Sequence, residues 1–212
     1  MKKFLLVFLA ILLLAVSAGF LFREQLFATV AGALTADMFV QADTDAFDPG
    51  LPVGTELPPM RVRYNGGELN DIRALSGSRG LVLVANRSAD WCPYCMAQYA
   101  QLQQYYESFQ AAGIEVVALT YDSPVLQQKF IDAQGIRFPF LSDVDAFSVK
   151  ALGILNTDYA PGDRAYGIPY PGVFVVNPAG IIVGKIFIDG YEKRLDASVL
   201  LDYADALLDS AG

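Results

Sequence analysis

The stretch "LVLVANRSADWCPYC", residues 81–95, joins a run of apolar residues to the only two cysteines of the sequence. Residues 81–86 show no alternation of apolar and polar side chains, which predicts a strand covered on both faces of a sheet. Pro93 stands between the cysteines, and proline is favoured in the first turn of a helix. The stretch therefore predicts a buried strand that passes directly into a helix, with Cys92 and Cys95 at the junction.

This position gives the two thiols different chemical properties. Unpaired backbone N–H groups and the helix dipole stabilise a thiolate at Cys92 and lower its pKa. Cys95 lies one turn further along, close enough to form a disulfide. We expect Cys92 to attack a partner's disulfide or a sulfenic acid, and Cys95 to resolve the mixed disulfide. A purely structural disulfide is the alternative, although so short a loop removes little entropy from the unfolded chain.

Composition excludes several other kinds of chemistry. The net charge of −8 and the pI near 4.4 argue against nucleic-acid binding, which requires Lys and Arg to neutralise phosphates. The sequence contains no histidine, so it offers no imidazole base for a nucleophilic triad. Two thiolates alone do not complete a structural metal site, which takes about four ligands. We therefore expect no metal and no cofactor other than a redox-active Cys92–Cys95 disulfide.

The amino-terminal residues predict a membrane segment. Residues 4–22 carry no charge and would span about 28 Å as a helix, close to the thickness of the hydrocarbon core. Lys2 and Lys3 precede this stretch and orient the following chain across the membrane. We interpret residues 1–22 as a signal anchor or as a signal peptide cleaved after the small residues 16–18. Both interpretations place the protein outside the cytoplasm, in a bacterial periplasm, either membrane-anchored or secreted.

The rest of the chain divides into a tether, residues 23–51, and a domain, residues 52–212. In the domain, strand and helix patterns alternate, which indicates an α/β class with a central sheet. The predicted elements are a hairpin around Asn65-Gly66, a helix with an apolar stripe and a stop at Gly113, a strand at 114–121, a helix from Pro124 to Gly135, a strand at 138–141, a helix at 146–152, a hairpin with its turn at 177–180, and a last helix marked by Leu195, Val199, Leu200, Tyr203 and Leu207.

The motif "WCPYC" at the strand-to-helix junction and the later stretch "YPGVFVVNPAG", residues 170–180, resemble the thioredoxin superfamily. The similarity is to the extracytoplasmic thioredoxin-like proteins and to the AhpC/TSA (redoxin) group, and it covers about residues 52–210. The resemblance implies a thioredoxin-like fold, a central mixed β-sheet flanked by helices. It also implies a thiol-disulfide oxidoreductase that acts on protein thiols and disulfides, together with an electron donor or acceptor that the sequence does not identify.

The resemblance also implies roles for residues around the cysteines. In this superfamily a cis proline precedes a β-hairpin and packs beside the disulfide, and the backbone of the residue before it pairs with substrate. Pro171, preceded by Tyr170, matches this position, and Pro169 is the alternative. Trp91 matches a tryptophan that shapes the docking surface, although a place in the core is its alternative. Tyr94, next to Pro93 within the motif, matches a position that tunes reduction potential.

The sequence departs from the family patterns in two places. Thioredoxins carry a buried acidic residue where this chain has Asn86, so deprotonation of Cys95 would require water or another carboxylate such as Asp90. The alternative for Asp90 is an exposed loop residue or a helix cap. Peroxiredoxins carry a proline and a threonine where this chain has Ala85 and Ala89, and their arginine aligns with Pro171. These departures weaken direct peroxide reduction, so a thiol peroxidase of the AhpC/TSA type is the alternative function and not the first. A redox-silent binding module is a third interpretation.

Overall fold

A computed structural model describes residues 29–30, 32–41 and 46–210 of the chain. The segment predicted to be a signal anchor or signal peptide, residues 1–22, lies outside these residues. Among the helices that are described, none combines the length and apolarity needed to cross a membrane.

The described part of the chain contains nine strands, which are β1 Phe39–Val40, β2 Val62–Tyr64, β3 Gly67–Leu69, β4 Gly80–Ala85, β5 Ile114–Thr120, β6 Phe140–Ser142, β7 Gly172–Val176, β8 Ile182–Phe187 and β9 Arg194–Leu195. Seven of them form a mixed sheet in the order β3-β2-β6-β5-β4-β7-β8. The central strands β4, β5 and β6 are parallel to one another, whereas β7 runs antiparallel to β4 and β2 antiparallel to β6. The short strands β1 and β9 form a separate parallel pair.

Helices cover both faces of this sheet. They are α1 Pro93–Ala111, α2 Pro124–Gln134, α3 Phe147–Ala151 and α4 Ala197–Ser210, and a 3₁₀ helix spans Ile72–Leu75. Side chains of α1, α2 and α4 pack with Val82 and Val84 in one hydrophobic cluster. Side chains of α3 and the 3₁₀ helix pack with Leu81 and Leu83 in a second cluster on the other face. The unbroken apolar run of β4 is thus explained, because both of its faces are buried.

Most of the predicted elements are confirmed. The hairpin turn lies at Asn65-Gly66, whose φ angles of 48° and 80° are the positive values that such a turn requires. The stripe predicted on α1 is buried at Tyr99, Leu102, Tyr106 and Phe109. α2 begins at Pro124 and ends before Gly135, as predicted.

One expectation about an element boundary differs from the structure. Leu195, assigned to the last helix, lies instead in β9, and α4 begins at Ala197. Within the predicted tether, Met38 is buried and β1 pairs with β9, whereas Val30 and Leu34 are exposed. Lys185 also donates from Nζ to the backbone carbonyls of residues 48–50. Short strands of two residues lack the alternation that reveals a strand in sequence.

Candidate functional site

The two cysteines lie at the N-terminus of α1, which follows β4 after a loop at residues 86–92. They form a disulfide with their Cα atoms 5.3 Å apart. Cys92 is the N-cap of α1, and its sulfur accepts a hydrogen bond from the backbone N–H of Cys95 at 3.3 Å. Pro93 occupies the first turn, as predicted. The Cys95 N–H in the first turn of α1 thus points at the Cys92 sulfur, and a donor in this position stabilises a thiolate there.

Both sulfurs are buried in the disulfide form. The exposed fraction is 1% for Cys92 and 0% for Cys95. This difference in exposure is too small to identify Cys92 as the attacking sulfur, so that role depends on its position at the helix N-terminus. A macromolecular partner can reach Cys92 only after neighbouring side chains move.

A buried carboxylate shapes the loop that precedes Cys92. Asp122, at the carboxyl end of β5, accepts hydrogen bonds from the Ser88 hydroxyl at 2.8 Å, the Ala89 N–H at 2.7 Å and the Thr120 hydroxyl at 2.9 Å. The Ser88 hydroxyl oxygen in turn accepts from the backbone N–H groups of residues 90 and 91. Burial raises the pKa of Asp122, and the hydrogen bond from Ala89 opposes that shift. The carboxylate therefore holds residues 88–91 in the turn that leads into α1.

Aromatic rings form the outer rim of the site. The Trp91 side chain is 41% exposed, and its indole N–H donates to the Tyr121 hydroxyl at 3.0 Å. The Arg87 guanidinium lies 5.0 Å from the Trp91 ring centroid and 4.7 Å from that of Tyr191. Tyr191 also meets Tyr94 edge to face, with the centroids 5.9 Å apart. The loop before β9 is thereby tied to α1 beside the cysteines.

Tyr170 and Pro171 precede β7, on the other side of β4. Ala85 pairs with Gly172 across the two strands, so Pro171 stands level with Asn86, where β4 ends. The expected cis bond is not found: the peptide bonds of the described residues are all trans, those of Pro169 and Pro171 included. Trans is the form that X-Pro bonds favour by about 0.5–1 kcal/mol.

A cavity of ≈ 370 Å³ opens next to Tyr170 and Pro171. Arg87 and Tyr191, which belong to the aromatic rim, line it as well. The cavity therefore connects the residues predicted to dock substrate with the rim beside the disulfide.

The two polar residues predicted to support proton transfer have different surroundings. Asp90 is an exposed loop residue whose backbone N–H donates to the Ser88 hydroxyl, and the N-cap of α1 is Cys92 instead. Asn86 is fully buried and donates from Nδ2 to the Gln98 side chain at 2.8 Å. Its Oδ1 accepts from Nε of Arg194 at 3.1 Å, and Nη2 of Arg194 donates to the Cys95 sulfur at 3.3 Å. Asn86 thus acts on the site through an arginine.

Sequence reasoning missed Arg194 and Asp122. Arg194 stands in "YEKRLD", a charged stretch that predicts an exposed loop, because arginine is rarely buried. The position of Asp122 gave a weak indication, since it lies two residues after the buried strand β5, and the carboxyl ends of parallel strands meet at one edge of a sheet. Within the described part of the chain, no group of three or more His, Cys, Asp or Glu residues is arranged to hold a metal.

A mixed sheet flanked by helices, with a Cys-x-x-Cys disulfide at a strand-to-helix junction, defines a thioredoxin-like domain. The chain belongs to the AhpC/TSA family, whose model matches residues 53–185. The resemblance inferred from "WCPYC" and residues 170–180 is thus confirmed at the level of superfamily and group.

The similar proteins carry two kinds of name. The chain is 29% identical to a thiol-disulfide oxidoreductase ResA of Halalkalibacterium halodurans, over 61% of this chain and 64% of that protein. It is also 29% identical to peroxiredoxin bcp1 of Schizosaccharomyces pombe, over 53% of this chain and 57% of that protein. The chain therefore spans less than two thirds of the length of these two relatives. Both names denote oxidoreductases.

A solved structure supports the fold. The crystal structure of peroxidoxin BcpB from Mycobacterium tuberculosis superposes with a TM-score of 0.60 at 18% identity, covering 76% of this chain and 97% of that one. At this identity the likeness establishes the thioredoxin-like fold and nothing finer.

Proposed function

We propose that this protein is a thiol-disulfide oxidoreductase that exchanges disulfides with protein thiols through Cys92 and Cys95. The observation that carries the proposal is the Cys92–Cys95 disulfide at the N-terminus of α1, with the Cys95 N–H directed at the Cys92 sulfur. This geometry favours Cys92 as the attacking thiolate and Cys95 as the resolving thiol. The relative named thiol-disulfide oxidoreductase ResA supports the same reaction class.

Exchange proceeds in two displacements. In the direction that reduces a partner, the Cys92 thiolate attacks one sulfur of the partner's disulfide, and the other partner sulfur leaves as a thiolate. The Cys95 thiolate then attacks the Cys92 sulfur, which forms the Cys92–Cys95 bond and releases the second partner thiolate. Two electrons pass to the partner, and the reverse sequence oxidises it.

Docking would use the rim and the adjoining cavity. Trp91 and Tyr94 offer aromatic surface, and Tyr170 and Pro171 line the cavity of ≈ 370 Å³. Because Cys92 is 1% exposed, a partner would have to displace side chains around it, and we expect the loop that carries Tyr191 to move, since its ring packs on Tyr94 and Arg87 beside the cysteines. The proposal thus includes a local opening of that loop before exchange.

We also propose that the domain functions outside the cytoplasm, anchored to a membrane or released by signal cleavage. The uncharged stretch at residues 4–22 after Lys2 and Lys3 supports this location. An alkaline phosphatase fusion after residue 51 is expected to be active in bacteria, and an inactive fusion would place the domain in the cytoplasm instead.

The test of exchange uses the full chain and two single variants. Cys95→Ser is expected to accumulate mixed disulfides with a model protein disulfide such as insulin, since resolution is blocked. Cys92→Ser, its matched control, is expected to form none and to lose insulin reduction. If both variants retain the activity of the unaltered protein, the cysteines do not carry the function, and the binding-module interpretation is favoured.

Peroxide reduction is the second candidate, and the size of the substrate favours it, because a small peroxide needs less opening around Cys92, 1% exposed in the disulfide form, than a protein does. The Cys92 thiolate would attack the peroxide, release an alcohol or water and become a sulfenic acid, and Cys95 would displace water to form the disulfide. Ala89, at the position of the peroxiredoxin threonine, provides no hydroxyl to hold the peroxide, and its N–H already donates to Asp122. Stopped-flow mixing with hydrogen peroxide separates the candidates: oxidation of the reduced protein much faster than that of free cysteine would favour the peroxidase.

A further inference from the structure

Arg194 is a buried cation in contact with the resolving sulfur. Its side chain is 2% exposed, and its Nη2 lies 3.3 Å from the Cys95 Sγ. Its other hydrogen-bond acceptors are the Asn86 amide oxygen and the backbone carbonyls of Tyr191 and Lys193. None of the ion pairs among the described residues includes Arg194. In the disulfide form, every partner of this guanidinium is therefore neutral.

Burying a cation without a nearby anion is energetically costly, and the lowered pKa of Arg194 reflects this cost. Burial lowers the pKa of Arg194 to about 10, which still leaves the side chain charged at neutral pH. The charge is balanced only when an anion forms within hydrogen-bond distance. Reduction of the disulfide creates such an anion at Cys95.

We propose that Arg194 is the counter-charge of the Cys95 thiolate, and that it sets how readily the Cys92–Cys95 disulfide is reduced. The inference rests on the proposed function, because it requires that the two cysteines exchange disulfides with a partner.

The reaction step follows from the contact. A partner thiolate attacks the Cys92 sulfur, a bond forms between these two sulfurs, and the Cys92–Cys95 bond breaks with its electron pair going to Cys95. The leaving sulfur becomes a thiolate beside the Arg194 guanidinium without first taking up a proton. A second partner thiolate then attacks the partner sulfur of the mixed disulfide and releases Cys92, so the partner loses two electrons and the protein gains them.

Asn86 explains why the charge of Arg194 is available. Its neutral amide oxygen orients the guanidinium through Nε without cancelling the charge. A carboxylate at this position, which thioredoxins carry, would pair with Arg194 and compete with the thiolate. The departure from the thioredoxin pattern and the buried arginine are thus two parts of one arrangement.

The other charged and titratable groups around Arg194 do not replace this partner. Tyr99 faces it from α1, and burial raises the pKa of this phenol, so it is neutral at physiological pH. The Arg87 guanidinium, in the loop after β4, repels the positive charge of Arg194 and so lowers its pKa. Glu192, in the loop before β9, is the carboxylate that attracts it from a distance. Cys95 is the group in hydrogen-bond contact that acquires a negative charge on reduction.

The test compares the equilibrium of the full-length protein with reduced and oxidised glutathione at pH 7. Arg194→Met keeps the length of the stem and removes the charge, so we expect reduction to become at least tenfold less favourable, about 30 mV for a two-electron couple. Arg194→Lys keeps a charge and is expected to recover most of that change. Arg137→Met, which removes an exposed arginine paired with Glu107, is the control and should not alter the equilibrium.

Proton uptake provides a readout that a structural role would not change. If Arg194 holds Cys95 as a thiolate, reduction at pH 7 takes up fewer protons in the unaltered protein than in Arg194→Met. The pH dependence of the glutathione equilibrium measures this number. Asn86→Asp, which retains the arginine, should shift the equilibrium in the same direction as Arg194→Met and provides the test if the latter does not fold.

Three results would overturn the inference: an equilibrium in Arg194→Met within twofold of that of the unaltered protein, equal shifts in the Met and Lys variants, or an unchanged equilibrium in Asn86→Asp. Each would make Arg194 a packing residue while leaving disulfide exchange intact. If instead the unaltered protein fails to exchange with glutathione or insulin, the proposed function itself fails, so the two failures are distinguishable.

Discussion

Replacement of Asp122 by alanine should destabilise the oxidised protein by about 3 kcal/mol. The carboxylate accepts three hydrogen bonds, from Ser88, Ala89 and Thr120. Because burial raises the pKa of this carboxyl, each bond is counted at about 1 kcal/mol, the value for neutral groups, and the loss of three bonds amounts to about 3 kcal/mol. Part of this cost arises because the Ala89 N–H would be left buried without an acceptor.

Urea unfolding measures this prediction. With a slope of ~2 kcal/mol per molar urea, the midpoint should fall by about 1.5 M. Asp122→Asn keeps an acceptor oxygen and should cost only about 1 kcal/mol. Asp132→Ala removes an exposed carboxylate that is hydrogen-bonded to Gln128, so it is the matched control and should stay within about 0.5 kcal/mol of the unaltered protein. A loss below about 1 kcal/mol in Asp122→Ala would refute the assigned role of the carboxylate.

The same residue predicts a dependence of stability on pH. Burial raises the pKa of Asp122 and also that of Asp143, so each native carboxyl keeps its proton to a higher pH than it does in the unfolded chain. Between about pH 4 and the raised native values, the native state binds more protons, and stability falls as pH rises. Above the native values this contribution is constant. Urea midpoints between pH 4 and 7 should fall less steeply in Asp122→Asn, and an identical slope would contradict the assignment.

Three further substitutions test the access route and the packing. Tyr191→Ala removes the ring that links the loop before β9 to Tyr94 and Arg87. Dithiothreitol should then reduce the disulfide several-fold faster in stopped-flow measurements. An unchanged rate would show that this loop does not limit access. Gly172→Ala would place a methyl group against the Phe187 ring, so thermal unfolding should reveal a loss of about 2 kcal/mol, and an unaltered Tm would contradict the tight contact. Phe109→Ala should cost about 3–5 kcal/mol in urea unfolding, because its side chain is fully buried, yet leave the glutathione equilibrium unchanged. A shift of that equilibrium would link the core to the redox site.

Local features of the sequence predicted much of the fold. The apolar run at residues 81–86, the stripe on α1 and the stop before Gly135 depend on neighbours a few residues apart, so the sequence displays them directly. The strand β9 was not predicted, because two residues are too few for a periodic pattern and its partner, β1, lies far away in the chain. The trans bond before Pro171 was also not predicted, since the expectation of a cis bond came from resemblance.

The sequence alone determined that two thiols stand at the start of a helix after a buried strand, because helix caps and strand patterns are local. Only the tertiary structure decided what surrounds those thiols. Arg194 reaches Cys95 across a sequence separation of 99 residues, and Asp122 reaches Ala89 across 33. Such contacts depend on the path by which distant strand ends converge at one edge of the sheet. A charged residue that this path buries looks, in sequence, like any exposed one.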